Sequence, residues 1–229
     1  MLKYKMKTFI CLFSIHFLLL GISNISAQNK SQLSKGLESS MAFDQTDPLN
    51  IVTDSDLNFD DVITGQNIPL NILENLELVE VYYYGFDEKL HKGQLVIHKE
   101  VVEDIKEIFN FIKESRFPLN KVIPMSAYDW SDERSMRDNN TSAFNYRFIS
   151  GTRVTSKHAY GLAIDINPLL NPYIKNEQCI PIGSTYDTTK AGTISSGSQL
   201  VREFKERGWT WGGDWKNLKD YQHFEKKLK

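Results

Sequence analysis

Alternating hydrophobic and polar positions in the middle of the chain predict a β-hairpin followed by a helix. Residues 78–84 are rich in Val and Tyr, as strands are, and residues 94–97 supply a partner strand across a turn at 85–93. Between residues 100 and 115 the apolar side chains recur three and four positions apart, which is the stripe of an amphipathic helix lying on a sheet. That stripe consists of Val101, Val102, Ile105, Ile108, Phe109 and Ile112.

The second half of the chain predicts shorter elements separated by loops. A short strand is expected over residues 121–125, a clearer one over 162–167, and a second helix over 198–207. Residues 128–148 are polar and aromatic without a regular period, and a long ordered loop inside a domain is usually functional. Residues 183–197 are rich in Thr, Ser and Gly and predict a loop without recognisable chemistry.

Residues 1–27 have the pattern of a secretory signal peptide. Lys3, Lys5 and Lys7 precede an apolar run over residues 8–22, and small polar residues lead to Ala27. The run is short for a spanning helix, which needs ~20 apolar residues, although an uncleaved N-terminal anchor is an alternative. The sequence therefore predicts a secreted or periplasmic protein.

The rest of the chain is acidic and nearly free of cysteine. Cleavage after Ala27 would leave 24 basic and 29 acidic residues, a formal charge of −5. Phosphate binding needs a basic face, so this balance argues against nucleic acid as a partner. Only Cys179 would remain, which excludes an internal disulfide, and residues 176–183 around this thiol predict a loop.

Residues 28–67 are polar, rich in Ser, Asn, Asp and Gln with scattered apolar side chains. This composition is typical of a flexible extension and not of a second domain. The expected organisation is a signal peptide over residues 1–27, the polar extension over 28–67, and one folded domain over 68–229.

His158, Asp165 and His223 are the residues that suggest chemistry. Two imidazole nitrogens and one carboxylate oxygen are a common way to hold a catalytic zinc ion while one position stays open for water. Strand alternation puts Asp165 on the face opposite Ile164, and Gly161 lets the chain turn so that His158 folds back over Asp165. The sequence therefore predicts a metal-dependent hydrolase.

Two acids lie close to His223 in the sequence. Asp220, three positions earlier, can converge with His223 if it lies in a turn that enters the strand, and residues 217–219 are compatible with such a turn. A carboxylate there can act as the general base that takes a proton from water activated by the ion. Glu225 shares a strand face with His223 and would orient its ring by accepting a hydrogen bond.

Other interpretations are open at this stage. A single His or Asp is more often an ordinary hydrogen-bonded residue, and we assign no role to His91, expected in the hairpin turn, or to His98, expected before the helix. Two histidines and a carboxylate also hold non-haem Fe(II), although those sites usually place the first His and the acid two positions apart. Trp209, Trp211 and Trp215 could all be core residues, which is what we expect of Trp209, whereas Trp211, which precedes two glycines, is a candidate for lining a substrate groove.

At these residues the chain resembles the M15 peptidase group, which contains zinc D-alanyl-D-alanine carboxypeptidases and peptidoglycan endopeptidases. The signature of that group is S-x-H-x-x-G-x-A-x-D followed later by (D/E)-x-x-H. Residues 156–165, S-K-H-A-Y-G-L-A-I-D, match every fixed position of the first part, and Asp220 and His223 match the second. The tracts over residues 139–147 and 165–173 are similar to a subgroup of the family.

The resemblance, which extends from about residue 70 to the C-terminus, implies a fold and a set of roles. The fold would be α+β, a small antiparallel sheet with helices packed on one face and the zinc site on the sheet. The Zn²⁺ ligands would be His158, Asp165 and His223. Asp220 would be the general base, and Ser156 would bind substrate or brace the site.

One part of the family pattern is absent from the sequence. Many members have a Y-R-S element whose arginine steadies the oxyanion, but the corresponding stretch, residues 127–130, is Ala-Tyr-Asp-Trp. Arg134, Arg137 or Arg147 would have to substitute. We favour Arg147 as the catalytic arginine because it ends the 139–147 tract.

The function that the resemblance implies is hydrolysis of the peptide stems of peptidoglycan, of the D-alanyl-D-alanine carboxypeptidase type. The protein would be a monomer that binds stem peptides and has no membrane contact after cleavage of the signal peptide. An L-alanyl-D-glutamate-type endopeptidase is the alternative. A non-catalytic cell-wall-binding protein that retains the metal site is another, although structural zinc sites usually have four protein ligands and the sequence offers three.

Overall fold

A long β-hairpin and the helix that follows it organise residues 50–228, the part of the chain that the computed structural model describes. These residues lie within one compact unit, Thr46–Lys229. In chain order the elements are β1 (Val52–Thr53), α1 (Phe59–Ile63), α2 (Leu70–Leu73), β2 (Leu76–Tyr84), β3 (Leu90–His98), α3 (Val102–Glu114), β4 (Lys121–Val122), α4 (Asp132–Arg137), β5 (Asn140–Thr141), β6 (Ala163–Asp165), β7 (Tyr173–Lys175), β8 (Gln178–Ile180), α5 (Gln199–Glu206), β9 (Trp209–Trp211), β10 (Lys219–Asp220) and β11 (His223–Lys226), with 3-10 turns at Lys99–Val101, Met125–Tyr128, Lys157–Tyr160 and Gly212–Asp214.

The predicted hairpin is confirmed, with a tighter turn than expected. Strands β2 and β3 pair antiparallel along their whole length, and β1 adds to β3 in parallel. Only residues 85–89 connect the two strands, because His91 and Gly93 belong to β3. His91 is therefore a buried strand residue and not a turn residue. His98 ends β3, where its Nδ1 accepts a hydrogen bond from Glu100 N–H at 3.2 Å.

The main core lies between the hairpin and the helices α3 and α5, both of which were predicted from their apolar periodicity. Every member of the stripe from Val101 to Ile112 is at most 6 % exposed. Ser198 caps helix α5, because its Oγ accepts the hydrogen bond of the Val201 N–H. Phe204 of α5 stacks on Phe224 with ring centroids 3.8 Å apart, so the helix holds strand β11 in place.

Residues 50–67, where the sequence predicted a polar extension, contain ordered structure. Helix α1 buries Val62 in a second, smaller hydrophobic cluster with Ile72, Leu76, Val96 and Phe144. Polar groups of the segment find partners in the hairpin: Ser55 Oγ donates to Gln94 Oε1 at 2.6 Å, and Gln94 Nε2 donates to the Leu57 carbonyl at 3.0 Å. Residues 28–49 of the predicted extension and the predicted signal peptide over 1–27 lie outside the described residues.

The α+β class is confirmed, but the strands of the described residues form four small sheets in place of one. The sheet β6–β11–β9 and the sheet β10–β7–β8 carry the candidate site residues. The expected strand over 121–125 shortens to β4, and the expected loop over 128–148 contains α4 and β5. Cys179 lies in strand β8 and not in a loop, and its thiol is free. Within residues 50–228, no helix combines the length and apolar character that a membrane crossing requires.

Candidate metal centre and proton-transfer site

Asp165 and His223 face each other on neighbouring strands. They are register partners of β6 and β11, and Asp165 Oδ1 lies 2.9 Å from His223 Nδ1. The adjacent pair, Ile164 and Phe224, is fully buried on the opposite face, as the predicted alternation requires. Burial of that apolar pair therefore fixes the register that places the carboxylate beside the imidazole.

His158 reaches the same point from the 3-10 turn Lys157–Tyr160. Ser156 caps this turn, because its Oγ accepts the His158 N–H at 3.3 Å, and Gly161 ends it with φ of 66°. A Cβ at Gly161 would lie 2.5 Å from the backbone nitrogen of His98, so glycine is required where the turn packs against the end of β3. His158 Nε2 lies 3.2 Å from Asp165 Oδ2 and 3.2 Å from His223 Nδ1.

The three side chains form a donor set that fits a metal ion. One potential ligand atom from each of His158, Asp165 and His223 lies within 4.8 Å of the other two. In each imidazole the outer nitrogen, the one that faces away from the cluster, has a partner of its own. His158 Nδ1 hydrogen-bonds to the Ala143 carbonyl, and His223 Nε2 lies 3.1 Å from Glu225 Oε2. Both partners are acceptors, so the outer nitrogens can carry the hydrogen and leave the inner nitrogens bare for a cation.

The charges at this cluster are strongly coupled. Burial opposes ionisation of Asp165, but His158 and His223 hold the pKa of its carboxyl well below the usual range. Burial also opposes the charged form of His223, yet hydrogen bonds to Asp165 and Glu225 raise its pKa to about 10. Metal binding requires a neutral imidazole, so an entering cation would displace the proton that His223 carries in its absence.

Asp220 lies in β10, just before the turn that leads into β11, as its proposed convergence with His223 requires. Burial raises the pKa of Asp220 to about 6, with the charge of His223 opposing the shift and that of Asp165 adding to it. Its Oδ1 is buried and has no hydrogen-bond partner. A buried acceptor without a partner costs folding free energy unless it interacts with a water, a cation or a group of the substrate. Asp220 therefore has the protonation behaviour of a general acid–base.

The two residues predicted to bind substrate occupy other environments. Ser156 is buried and caps the turn of His158, so it braces the site. The expectation that Trp211 lines a groove is wrong: its side chain is 2 % exposed, and its Nε1 donates to the Tyr221 carbonyl at 2.9 Å. The physical reason is strand register, since Trp211 pairs with the fully buried Phe224 and shares its core-facing side.

Trp215 is an aromatic site residue that the sequence did not single out. Its ring centroid lies 5.4 Å from that of His223, with the ring planes inclined by 52°, and its side chain is half-buried. The 3-10 turn Gly212–Asp214 separates it from the strand that holds Trp211. Two glycines between the tryptophans are the sequence signal of that change of direction.

All three candidate arginines form ion pairs. Arg134 and Arg137 pair with acids in or beside their own helix, and both side chains are 57 % exposed. Arg147 pairs with Asp132 and is less exposed. Its carbonyl accepts the Ser156 N–H at 3.0 Å, so Arg147 is tied through the backbone to the segment that carries His158. Its catalytic role stays a prediction.

A comparison with protein families matches the part of the chain that carries these residues. A family model described as D-alanyl-D-alanine carboxypeptidase, of the M15 peptidases, matches residues 150–226. The peptidoglycan L-alanyl-D-glutamate endopeptidase CwlK of Bacillus subtilis (strain 168) is 40 % identical over 70 residues, which cover 31 % of this chain and 38 % of that relative. No solved structure matches the chain. Residues 150–226, which match the family model, contain both imidazoles of the cluster, Asp165 and Asp220, so this part of the chain is similar to the M15 peptidases.

Proposed function

We propose that this protein is a zinc peptidase that hydrolyses the peptide stems of peptidoglycan. The observation that carries the proposal is the convergence of His158, Asp165 and His223 within 4.8 Å, inside the segment that matches the peptidase family. A buried carboxyl group with a pKa of about 6, Asp220, lies beside them. The substrate class follows from the family description and from the name of the relative.

Each residue of the cluster has a distinct task in this reaction. A zinc ion held by the three side chains would supply Lewis acidity toward the scissile carbonyl and toward water. Asp220 accepts a proton from the attacking water and returns it to the leaving amine. Glu225 and the Ala143 carbonyl hold the two imidazoles in the tautomers that a metal ligand needs.

Arg147 is the residue that we propose to stabilise the oxyanion. Its guanidinium pairs with Asp132, which also accepts a hydrogen bond from Asn145 Nδ2 at 2.7 Å. Asn145 is in turn linked to the site, because its N–H donates to the His158 carbonyl at 3.2 Å. Asp132 therefore holds Arg147 close to the ligand-bearing turn, and a developing oxyanion would attract the same cation.

Two peptide bonds are candidates for cleavage. Release of a terminal D-alanine follows the description of the family model, whereas cleavage between L-alanine and D-glutamate follows the relative with 40 % identity. We propose both bonds as candidates. We also propose that the N-terminal leader exports the protein, since the substrate lies outside the cytoplasm.

A single digestion experiment tests the function and separates the two bonds. Purified peptidoglycan and a synthetic stem pentapeptide are incubated with the metal-loaded protein, the chelated protein and the Asp220→Asn variant, and the products are analysed by mass spectrometry. Metal-dependent release of D-alanine identifies the carboxypeptidase, and a cut after L-alanine identifies the endopeptidase. Elemental analysis of the purified protein distinguishes zinc from iron. Absence of any metal-dependent product rejects the proposal in favour of a non-catalytic wall-binding protein.

A further inference from the structure

We propose that the hairpin formed by residues 147–156 is the surface on which the substrate peptide lies as it enters the site. The ligand is an extended peptide with carboxylate groups and small apolar side chains. This inference rests on the proposed function and deepens it, because it assigns substrate recognition to a surface outside the metal cluster.

The 147–156 hairpin is an ordered structure that leads into the turn carrying the first imidazole. Ile149 N–H donates to the Val154 carbonyl at 2.8 Å, and Ser156 N–H donates to the Arg147 carbonyl at 3.0 Å. At its tip, Thr152 Oγ1 donates to the Ile149 carbonyl at 2.9 Å and accepts the Val154 N–H at 3.1 Å. Its base is anchored on both sides, by the cap that Ser156 forms and by the ion pair of Arg147.

The hairpin holds large apolar side chains in solvent despite this ordered backbone. Phe148 is 59 % exposed, Ile149 is 46 % exposed and Val154 is 60 % exposed. Large apolar side chains that cluster in the open usually mark a binding surface. Scattered single ones would need no explanation, but Ile149 and Val154 lie opposite each other on the two strands of the hairpin.

The register of the hairpin places its exposed apolar pair on the same face as the residue that caps the turn of His158. Phe148 and Thr155 are bridge partners, so the neighbouring pairs are Ile149 with Val154 and Arg147 with Ser156. Because side chains alternate along paired strands, the last two pairs share one face of the hairpin. One end of that face is Ser156, against the ligand-bearing turn, and the other end is the exposed apolar pair. A peptide leaving the cluster along this face would therefore meet the apolar pair.

The charge of the hairpin selects an acidic ligand. Residues 147–157 contain Arg147, Arg153 and Lys157 and no acidic residue, although the whole chain carries a formal charge of −2. Among the described residues Arg153 has no ion-pair partner, and it is exposed. Lys157 begins the 3-10 turn that carries His158. A stem peptide, with carboxylates and alanine methyl groups, matches both the cations and the apolar pair.

Binding measurements with a variant of the exposed apolar pair test the inference. The parent protein is zinc-loaded Asp220→Asn, which retains the metal ligands and does not turn over the ligand, and the probe is a synthetic stem pentapeptide. Adding Ile149→Ser and Val154→Ser should weaken binding roughly tenfold, the loss of about 1.4 kcal/mol expected when two apolar contacts are removed. Leu70→Ser, a change of another exposed apolar side chain at 73 % exposure, is the matched control and should leave the affinity within about twofold.

A second arm uses the same changes in the active protein. Ile149→Ser with Val154→Ser should raise KM and leave kcat unchanged, because the contacts are made equally in the ground state and the transition state. Arg153→Gln should weaken peptide binding in low salt more than in high salt. Circular dichroism of each variant checks that the fold is retained.

Three other outcomes would overturn the inference, and they differ in what they leave of the proposed function. Equal peptide affinity in the double variant and its parent removes the hairpin from recognition, while metal-dependent hydrolysis by the native protein leaves the proposed function standing. Failure of the parent to bind the stem peptide, together with failure of the native protein to hydrolyse it, rejects both the inference and the proposed function. A dimer in sedimentation experiments that the double variant abolishes, with peptide binding unchanged, assigns the hairpin to a second copy of the chain.

Discussion

Gly212 lies directly against Asp220. A Cβ at Gly212 would be 2.5 Å from the Asp220 carbonyl oxygen and 2.8 Å from its Cβ, closer than any side chain can approach. The Gly212–Asp214 turn therefore packs against the backbone and Cβ of Asp220, the proposed base. The position of Asp220 depends on the absence of a side chain at residue 212.

Gly212→Ala should lower kcat by roughly tenfold to a hundredfold, because a catalytic group displaced by about 1 Å loses most of its effect. Zinc content and overall fold should be unchanged, since the atoms nearest to the new methyl group belong to Asp220 and not to a metal ligand. Gly197→Ala is the control, because nothing lies within 4 Å of a Cβ there. A folded, zinc-loaded Gly212→Ala protein with native kcat would show that the placement of Asp220 is not critical.

Asp220→Asn should stabilise the metal-free protein at neutral pH. Burial raises the pKa of Asp220 from 3.8 to about 6, so the folded chain holds this proton more tightly than the unfolded chain. The stability linked to this proton is complete below pH 3.8 and is lost as the pH rises through about 6. At pH 7.5 the neutral Asn should therefore gain up to roughly 3 kcal/mol.

Urea unfolding in the presence of a chelator measures this difference at acidic and neutral pH. The gain should shrink toward zero as the pH approaches the ordinary pKa of an aspartate. A variant that is less stable than the native protein at pH 7.5 would show that Asp220 is not destabilised by its burial.

Glu225→Ala should weaken zinc binding roughly 10- to 100-fold, as loss of a residue that orients a metal-ligating imidazole usually does. The cause is loss of the carboxylate that lies 3.1 Å from His223 Nε2, which leaves the ring free to rotate. Competition with a chelating indicator gives the dissociation constant. Glu114→Ala, at the exposed end of α3, is the control and should bind zinc as the native protein does.

Trp215 should report metal binding by its fluorescence. Its ring lies 5.4 Å from that of His223, so a paramagnetic ion such as Co²⁺ bound at the cluster should quench its emission. Trp215→Phe should remove most of the quenching, whereas Trp209→Phe, a change in the core beside Phe204, should retain it. Quenching of equal size in the two variants would place the ion away from Trp215.

A chain that begins at residue 68 should be less stable than one that begins at residue 46. The shorter chain lacks β1 and α1, so the buried Gln94 loses its hydrogen bonds to Ser55 and Leu57. An unpartnered buried amide costs ~1–3 kcal/mol, and the loss of Val62 opens the second hydrophobic cluster. Thermal unfolding of the two chains measures the effect, and equal midpoints would mean that residues 50–67 contribute nothing to the fold.

The hairpin and the two long helices could be predicted because each carries its own apolar period. The width of the hairpin turn could not. His91 has the polarity of a turn residue, but in the structure its Nδ1 lies 3.2 Å from Asp54 and its Nε2 lies 3.0 Å from Asp87. One of these partners is 37 residues away, and a local pattern does not contain such a contact.

The convergence of His158, Asp165 and His223 could be predicted from residue type and spacing, whereas the aromatic residue beside these side chains could not. Two glycines lie between Trp211 and Trp215 and indicate a change of direction, but they do not say which of the two rings is buried. Their burial is decided by the pairing of Trp211 with Phe224 across β9 and β11, and by the turn that carries Trp215 away from that sheet. Register between strands that are distant in sequence is a tertiary property.

The two imidazoles of the cluster are secured by different kinds of group. The partner of His158 is the main chain at Ala143, and the partner of His223 is a side chain, Glu225. Substitution cannot delete a peptide carbonyl, but a single codon change can delete a carboxylate. A mutation that weakens ion binding by freeing a ligand ring can therefore arise at Glu225. The hydrogen bond between the His158 ring and the main chain persists for as long as the chain folds.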